Sequence, residues 1–321
     1  MNRYHLTHVT EFHYDGSVSE SYNEVRLRPM HDDRQSCLSF VLSTSPKSTS
    51  VAYQDPYGNW AHQFNILPEH SNLRITAEST VLVHDASPNG TEAMSLATFD
   101  ERARALCEEY FDFMAATTYV PHLTKLRELV AAYEEASDGT VLGFAETTCK
   151  LIHERFRYVK GATHVHSSIE DSLSHGAGVC QDFSHLLLGI VRMRGLPARY
   201  VSGYLIPRST NKNGGGLEEV IGGQASHAWT EVFIPDKGWI GFDPTLGTPV
   251  GMRHVRVAYG RDYGDVPPVR GVYKGNAGQR LSVDVRVRPV LDGEGCEQMQ
   301  ETISRPPDRP NPDRPQQPQQ Q

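Results

Sequence analysis

One run constrains this chain more than any other: Gly176-Ala177-Gly178-Val179-Cys180-Gln181-Asp182-Phe183-Ser184-His185. Its glycines suit a turn. From Phe183 onward apolar residues recur at helical spacing, at Leu186, Leu187, Ile190 and Val191, until Gly195-Leu196-Pro197 supplies a stop. The pattern predicts an amphipathic helix with Cys180 in its first turn. A helix start carries partial positive charge and unsatisfied N–H donors, conditions that favour thiolate over thiol. A buried structural cysteine would sit as well on such a helix, so the run takes its meaning from residues further along the chain.

Downstream, residues 225–234 (Ala-Ser-His-Ala-Trp-Thr-Glu-Val-Phe-Ile) alternate and are rich in β-favouring types, so a strand is expected. Pro235-Asp236-Lys237-Gly238 is turn chemistry, and Trp239-Ile240-Gly241-Phe242 reads as the returning strand, ending at Asp243-Pro244-Thr245. A helix-borne Cys180 is thus followed by a strand-borne His227 and by Asp243 at a strand end. This is the order nucleophile, base, orienter: the imidazole takes the thiol proton, and the carboxylate fixes the ring tautomer and stabilises the imidazolium. Register imposes a condition. A two-residue turn at Asp236-Lys237 would set Thr230 opposite Asp243 and point His227 to the other face. The trio therefore predicts an irregularity: a bulge, an odd-length turn, or an Asp243 that has left the ladder, which Pro244 would favour.

With 321 residues the chain can form one large or two modest domains. Its formal charge of −8, with no basic cluster, argues against a nucleic-acid partner. Five cysteines (37, 107, 149, 180, 296) are odd in number and lack metal-like spacing, which fits a reducing compartment. No apolar signal core follows Met1, and no run approaches the roughly twenty apolar residues of a membrane span, so a soluble cytoplasmic protein is expected. Residues 1–90 alternate in short runs (His8 to Tyr14, Val25 to Leu27, Leu38 to Leu42, Leu73 to Val83) and predict a β-rich, sandwich-like domain. The period then becomes helical: Phe99, Ala103, Leu106 and Tyr110; Leu123, Leu126, Leu129 and Val130; and a third stretch from Val141 to Phe156. These leading helices and the α+β part behind them make a second domain, 91–295, with a last strand at Leu281–Val287. The Pro- and Gln-rich tail, 296–321, has no apolar period and is expected to be disordered.

Four segments, residues 178–185, Gly195-Leu196-Pro197-Ala198-Arg199-Tyr200-Val201-Ser202-Gly203-Tyr204, Ser226-His227-Ala228-Trp229, and Gly238-Trp239-Ile240-Gly241-Phe242-Asp243-Pro244-Thr245, resemble bacterial transglutaminase-like proteins, a group whose members are often labelled cysteine proteases. Thr7 to Tyr14, Arg26-Leu27-Arg28-Pro29 and Asp55-Pro56-Tyr57-Gly58-Asn59 resemble the β-rich N-terminal region of that group. Gly260-Arg261-Asp262-Tyr263 with Asp265-Val266-Pro267-Pro268 resembles its C-terminal segment. The resemblance implies an α+β, papain-like core with Cys180, His227 and Asp243 as its triad. It also implies an oxyanion donor from the segment before the cysteine motif, where Tyr158 is the candidate, beside the backbone N–H of Cys180.

Other residues invite a role. His164 and His166 alternate as metal ligands would, but no third ligand accompanies them, and neither a metal nor another cofactor is expected. His185 lies about 140° around the helix from Cys180, so a structural, hydrogen-bonded role is expected. Asp182 complements the helix dipole. Gln181 is a candidate to line the cleft or to cap, and Trp229 a candidate cleft wall or core residue. The Gly214–Gly216 connector reads as a lid or a plain spacer. The expected function is thiol-dependent acyl transfer on a protein or peptide amide, resolved by water as in a peptidase or amidase. The alternatives are amine transfer, as in a transglutaminase, and a non-catalytic binding scaffold; oligomeric state is left open.

Overall fold

In the computed structural model residues 2–84, 94–162, 167–207 and 226–290 are described, apart from the side chains of 104, 105 and 107. His164, His166, the Gly214–Gly216 connector and the tail from 296 lie outside the described residues.

Alternation in the first quarter of the chain produces strands as expected, but the first is longer than its apolar runs suggest. The strands are β1 (Asn2–Val25), β2 (Gln35–Ser45), β3 (Val51–Gln54), β4 (Trp60–Ile66) and β5 (His70–Val83). β1 changes partners halfway: up to His13 it pairs with β5, and from Ser21 to Val25 it pairs with β4. Its register breaks between His13 and Val18, where Gly16 lies, and Glu20 takes a φ of 46°. The sheet thereby folds over an apolar core of its own, built around Tyr14, Val25, Phe64, Leu73 and Ile75.

The three helical periods become α1 (Leu96–Glu109), α2 (Thr124–Glu135) and α3 (Val141–Arg155). Ser95 and Thr140 cap the first and third by accepting the N–H of Thr98 and Gly143, so the hydroxyls answer donors a helix start leaves unsatisfied. Next come β6 (Arg157–Tyr158), α4 (Ile169–His175), β7 (Ala177–Gly178) and α5 (Cys180–Met193). Leu186, Leu187, Leu188, Ile190 and Val191 of α5 are fully buried, and the helix packs on the second sheet with α2 and α3 around it. That sheet is antiparallel, ordered β11-β10-β9-β8-β12, from β8 (Ala198–Leu205), β9 (His227–Ile234), β10 (Gly238–Asp243), β11 (Thr248–Pro249) and β12 (His254–Gly260). This is the expected α+β core behind a β-rich N-terminal region.

The last strands lie elsewhere than their place in the sequence suggests. β13 (Val269–Lys274) and β14 (Gln279–Pro289) both return to β1, with Val269 opposite Val25 and Val283 opposite Thr10. Residues 269–289, which the sequence groups with the core in 91–295, therefore complete the N-terminal sheet. Alternation marks a strand but carries no information about its partner.

The N-terminal region also covers the edge strand β12. Gln35 donates from Nε2 to the Arg256 carbonyl (2.7 Å) and accepts the Arg256 N–H at Oε1 (2.8 Å). Asn59 does the same at Tyr259, at 2.8 and 2.9 Å. Two buried amides thus stand in for a sixth strand and satisfy an edge that would otherwise be open to pairing. Among the described residues no helix is long and apolar enough to cross a membrane.

Candidate active site

The turn that opens the site is built from glycine. Gly176 ends α4 in the left-handed region (φ 59°), and β7 then pairs in parallel with β6, setting Tyr158 beside Gly178. The next residue, Val179, is extended, and Cys180 is the first residue of α5. Asp182 accepts the Val179 N–H at 2.8 Å, so its carboxylate caps the helix start. Gly178 has no room for a side chain there, because a Cβ would lie 2.8 Å from Asp182.

The irregularity demanded of the β9–β10 hairpin is an odd-length turn. Ile234 pairs with Gly238 across three residues, and Asp236 and Gly238 both take positive φ, 65° and 75°. One residue more than the two-residue turn shifts the register, so Asp243 comes to the face carrying His227. His227 Nε2 donates to Asp243 Oδ2 at 2.7 Å, and the Cys180 side chain also acts on the imidazole. Burial would lower the pKa of His227, but the Asp243 carboxylate, its hydrogen bond and Cys180 outweigh burial and raise it. Asp243 is fully buried. Burial opposes its charge, yet His227 and His254 hold its carboxyl well below the usual range.

His254 is the residue the sequence reading missed. Its Nδ1 accepts the Gly251 N–H (3.2 Å), which puts the proton on Nε2, and Nε2 donates to Asp243 Oδ2 at 3.0 Å. The other carboxylate oxygen accepts from the N–H of Thr245 (2.9 Å) and Leu246 (3.3 Å). Asp243 is thus held by four donors. No motif surrounds His254; it stands at the start of β12, which β9 and β8 separate from β10, and its ring meets Asp243 against the Trp229 ring.

Cys180, partly exposed, opens into a cavity of about 710 Å³ together with Gln181, Tyr158 and His227. Burial, and then the charges of Cys180 and Asp182, push the Tyr158 phenol up, so it stands at this cavity as a neutral donor. Gln181 lines the cleft. Trp229 does not: it is 1% exposed and packs behind the site, its ring meeting that of His254 edge-on at 5.2 Å. His185 is a structural histidine, accepting the Tyr263 N–H at 3.2 Å and kept neutral by burial.

The N-terminal region of bacterial transglutaminase-like proteins matches residues 4–82, and the transglutaminase-like superfamily core matches residues 128–244. An uncharacterized protein of Mycobacterium leprae is 31% identical over 291 residues, 89% of this chain and 99% of that protein. The chain belongs to the transglutaminase-like superfamily. An uncharacterized protein of Mycobacterium tuberculosis is 32% identical over 299 residues, 90% of this chain and 93% of its own. A crystal structure of a candidate cysteine protease from Cytophaga hutchinsonii shares the fold, with a TM-score of 0.69 at 18% identity over 90% of this chain and 91% of that one. For a superfamily member, the notable feature is that His227, Asp243 and His254 bring three ligand-type atoms within 4.8 Å. The donor set is arranged for hydrogen bonding: Nε2 of His254 carries a proton, and Nε2 of His227 donates to the same oxygen. A cation would require both nitrogens bare.

Proposed function

We propose that this superfamily member performs thiol-dependent acyl transfer on peptide or glutamine-type amides, with water as the usual acceptor. The observation that carries the reading is the His227 ring, hydrogen-bonded through Nε2 to buried Asp243 and sharing one cavity with Cys180 at a helix start. In the first half-reaction Cys180 Sγ attacks the amide carbon, and an oxyanion develops on the former carbonyl oxygen. The Cys180 N–H, in the helix turn whose donors lack intrahelical acceptors, and the Tyr158 hydroxyl are the proposed donors to it, each contributing roughly 3 kcal/mol. The C–N bond then breaks as the His227 imidazolium gives its proton to the leaving amine, leaving a thioester. In the second half-reaction water attacks the thioester, His227 takes its proton, and the Cys180 sulfur departs to be protonated again. Asp243 keeps the ring oriented and the imidazolium stabilised throughout. Partial exposure of Cys180 at the cavity favours hydrolysis, because a cleft open to solvent admits water to the thioester.

One observation favours amine transfer instead. A protein-glutamine gamma-glutamyltransferase of Pseudomonas aeruginosa is 32% identical over 98 residues, 29% of this chain and 14% of that protein. Both readings share the thioester and differ in what resolves it. The test is the pH dependence of Cys180 alkylation by iodoacetamide, read by peptide mass spectrometry in wild type and His227→Ala. Cys37 and Cys149 serve as internal controls, since burial pushes both of those thiols up. Alkylation of Cys180 at neutral pH at least tenfold faster than of the controls, and slowed by His227→Ala, is the expected result. Equal labelling of all three, indifferent to His227, would overturn the reading. A glutamine dipeptide incubated with and without a primary amine then separates ammonia release from amide exchange.

A further inference from the structure

The cavity at Cys180 does not end in the catalytic core. It runs on across the inner face of the N-terminal sheet, where alternate residues of paired strands face it. Phe12 and Tyr14 of β1 lie opposite Leu281 and Gln279 of β14, and Thr10 lies opposite Val283. β13 adds Val272 and Tyr273, with the Tyr14 and Tyr273 rings edge to face at 5.0 Å. Leu281 and Val272 are 59% and 68% exposed, large apolar side chains left facing a cleft. Exposed apolar surface gathered in a groove marks a binding surface more often than scattered residues do. The wall is close to neutral: its bordering cation, Arg270, is paired with Glu24 at 2.7 Å, and burial keeps His8 uncharged.

We propose that this face of the N-terminal sheet is the substrate-recognition wall of the Cys180 cleft, and that it takes an extended peptide carrying neutral, apolar side chains beside the reactive amide. The proposal rests on the acyl-transfer reading for why a peptide occupies the cleft. Its chemistry comes from the wall itself. Residues 10, 12 and 14 share one face at the two-residue repeat of a strand, the same repeat an extended peptide presents. From Thr10 to Tyr14 the strand advances by roughly 13 Å, the length of about four extended residues. The cavity volume is in the usual range for a ligand cleft. An acidic peptide gains nothing there, since Arg270 is already neutralised and the surrounding protein carries a net charge of −8.

Two chloroacetamide-tipped peptides of equal length test it, one with Leu and Phe and one with Asp at the same positions. Each alkylates Cys180 as its sulfur displaces chloride. Iodoacetamide, too small to reach the wall, reports the thiol separately. The expected result is that the apolar peptide labels Cys180 at least tenfold faster than the acidic one, both normalised to iodoacetamide. The paired change Leu281→Lys with Val272→Lys should erase or invert that preference. Equal labelling by the two peptides in wild type overturns the proposal without any variant, as does a preference that survives the two substitutions. Failure of the acyl-transfer reading looks different: Cys180 is then no more reactive to iodoacetamide than Cys37, whatever the peptides do.

Discussion

Asp243 sits at a junction of four donors, and its behaviour sets that of His227. Removing one donor to a buried charge costs about 1.5–3 kcal/mol, so His254→Ala should lower kcat/KM for amide turnover about 10- to 100-fold. A merely structural loss would leave the pH profile in place. Loss of the His254 donor leaves the carboxylate more basic and holds His227 protonated to higher pH, so the alkaline limb of Cys180 alkylation should move up. His254→Asn, which keeps an N–H donor, should restore part of both. Cys180, His227 and Asp243 were legible because each stands in a local pattern: helix start, strand, strand end. His254 was not, since nothing in the residues around it points to Asp243 and only side-chain packing against Trp229, two strands away from β10, brings it there.

At the scale of elements, the β9–β10 turn decides which face Asp243 occupies. Deleting Lys237 would shorten the turn to two residues while Ile234 still closes it against Gly238, so Asp243 should keep the face of His227. The expected outcome is circular dichroism and Cys180 alkylation both near those of wild type; alkylation slowed to the level of His227→Ala would mean that the Ile234–Gly238 pair had slipped. Gly203, on β8, is a second point of leverage. A Cβ there would lie 2.2 Å from the Val255 carbonyl oxygen and 2.5 Å from the Trp229 ring, the ring that backs His254. Gly203→Ala should therefore destabilise by about 1–3 kcal/mol, read as a lower midpoint in denaturant. The need for an irregular hairpin was legible from parity; which irregularity occurs was not, because odd turn and bulge satisfy it alike.

Across the whole molecule, the N-terminal region and the core share polar contacts as well as apolar ones. Glu231, fully buried on β9, pairs with Arg199 at 2.6 Å and with Arg256 at 3.1 Å, and Arg256 reaches Asp32 at 3.3 Å. Glu231→Ala leaves two guanidinium groups facing a buried gap and should cost about 3–5 kcal/mol in unfolding free energy. Acid should also weaken the fold. His8 and His185 are buried, and burial depresses their pKa to about 4 and about 3 from an ordinary 6.5. The unfolded chain therefore binds protons that these two rings refuse in the fold below pH 6.5, so their contribution to stability is full above that value and declines as pH falls toward 4. A Tm that drops across this window, less steeply in His8→Gln, is the expected result. A flat Tm would count against neutral burial of these rings.

The sequence by itself determined the helix that begins at Cys180, the hairpin that carries His227 and Asp243, and the α+β class, because each follows from periods and turn residues within a few positions of one another. Only the tertiary structure decided that β13 and β14 close the N-terminal sheet, that Gln35 and Asn59 cap β12, and that His254 completes the surroundings of Asp243. These are pairings between residues as much as 221 positions apart. Local pattern selects an element, but its partner is chosen by which edges and polar groups remain unsatisfied once the whole chain has packed.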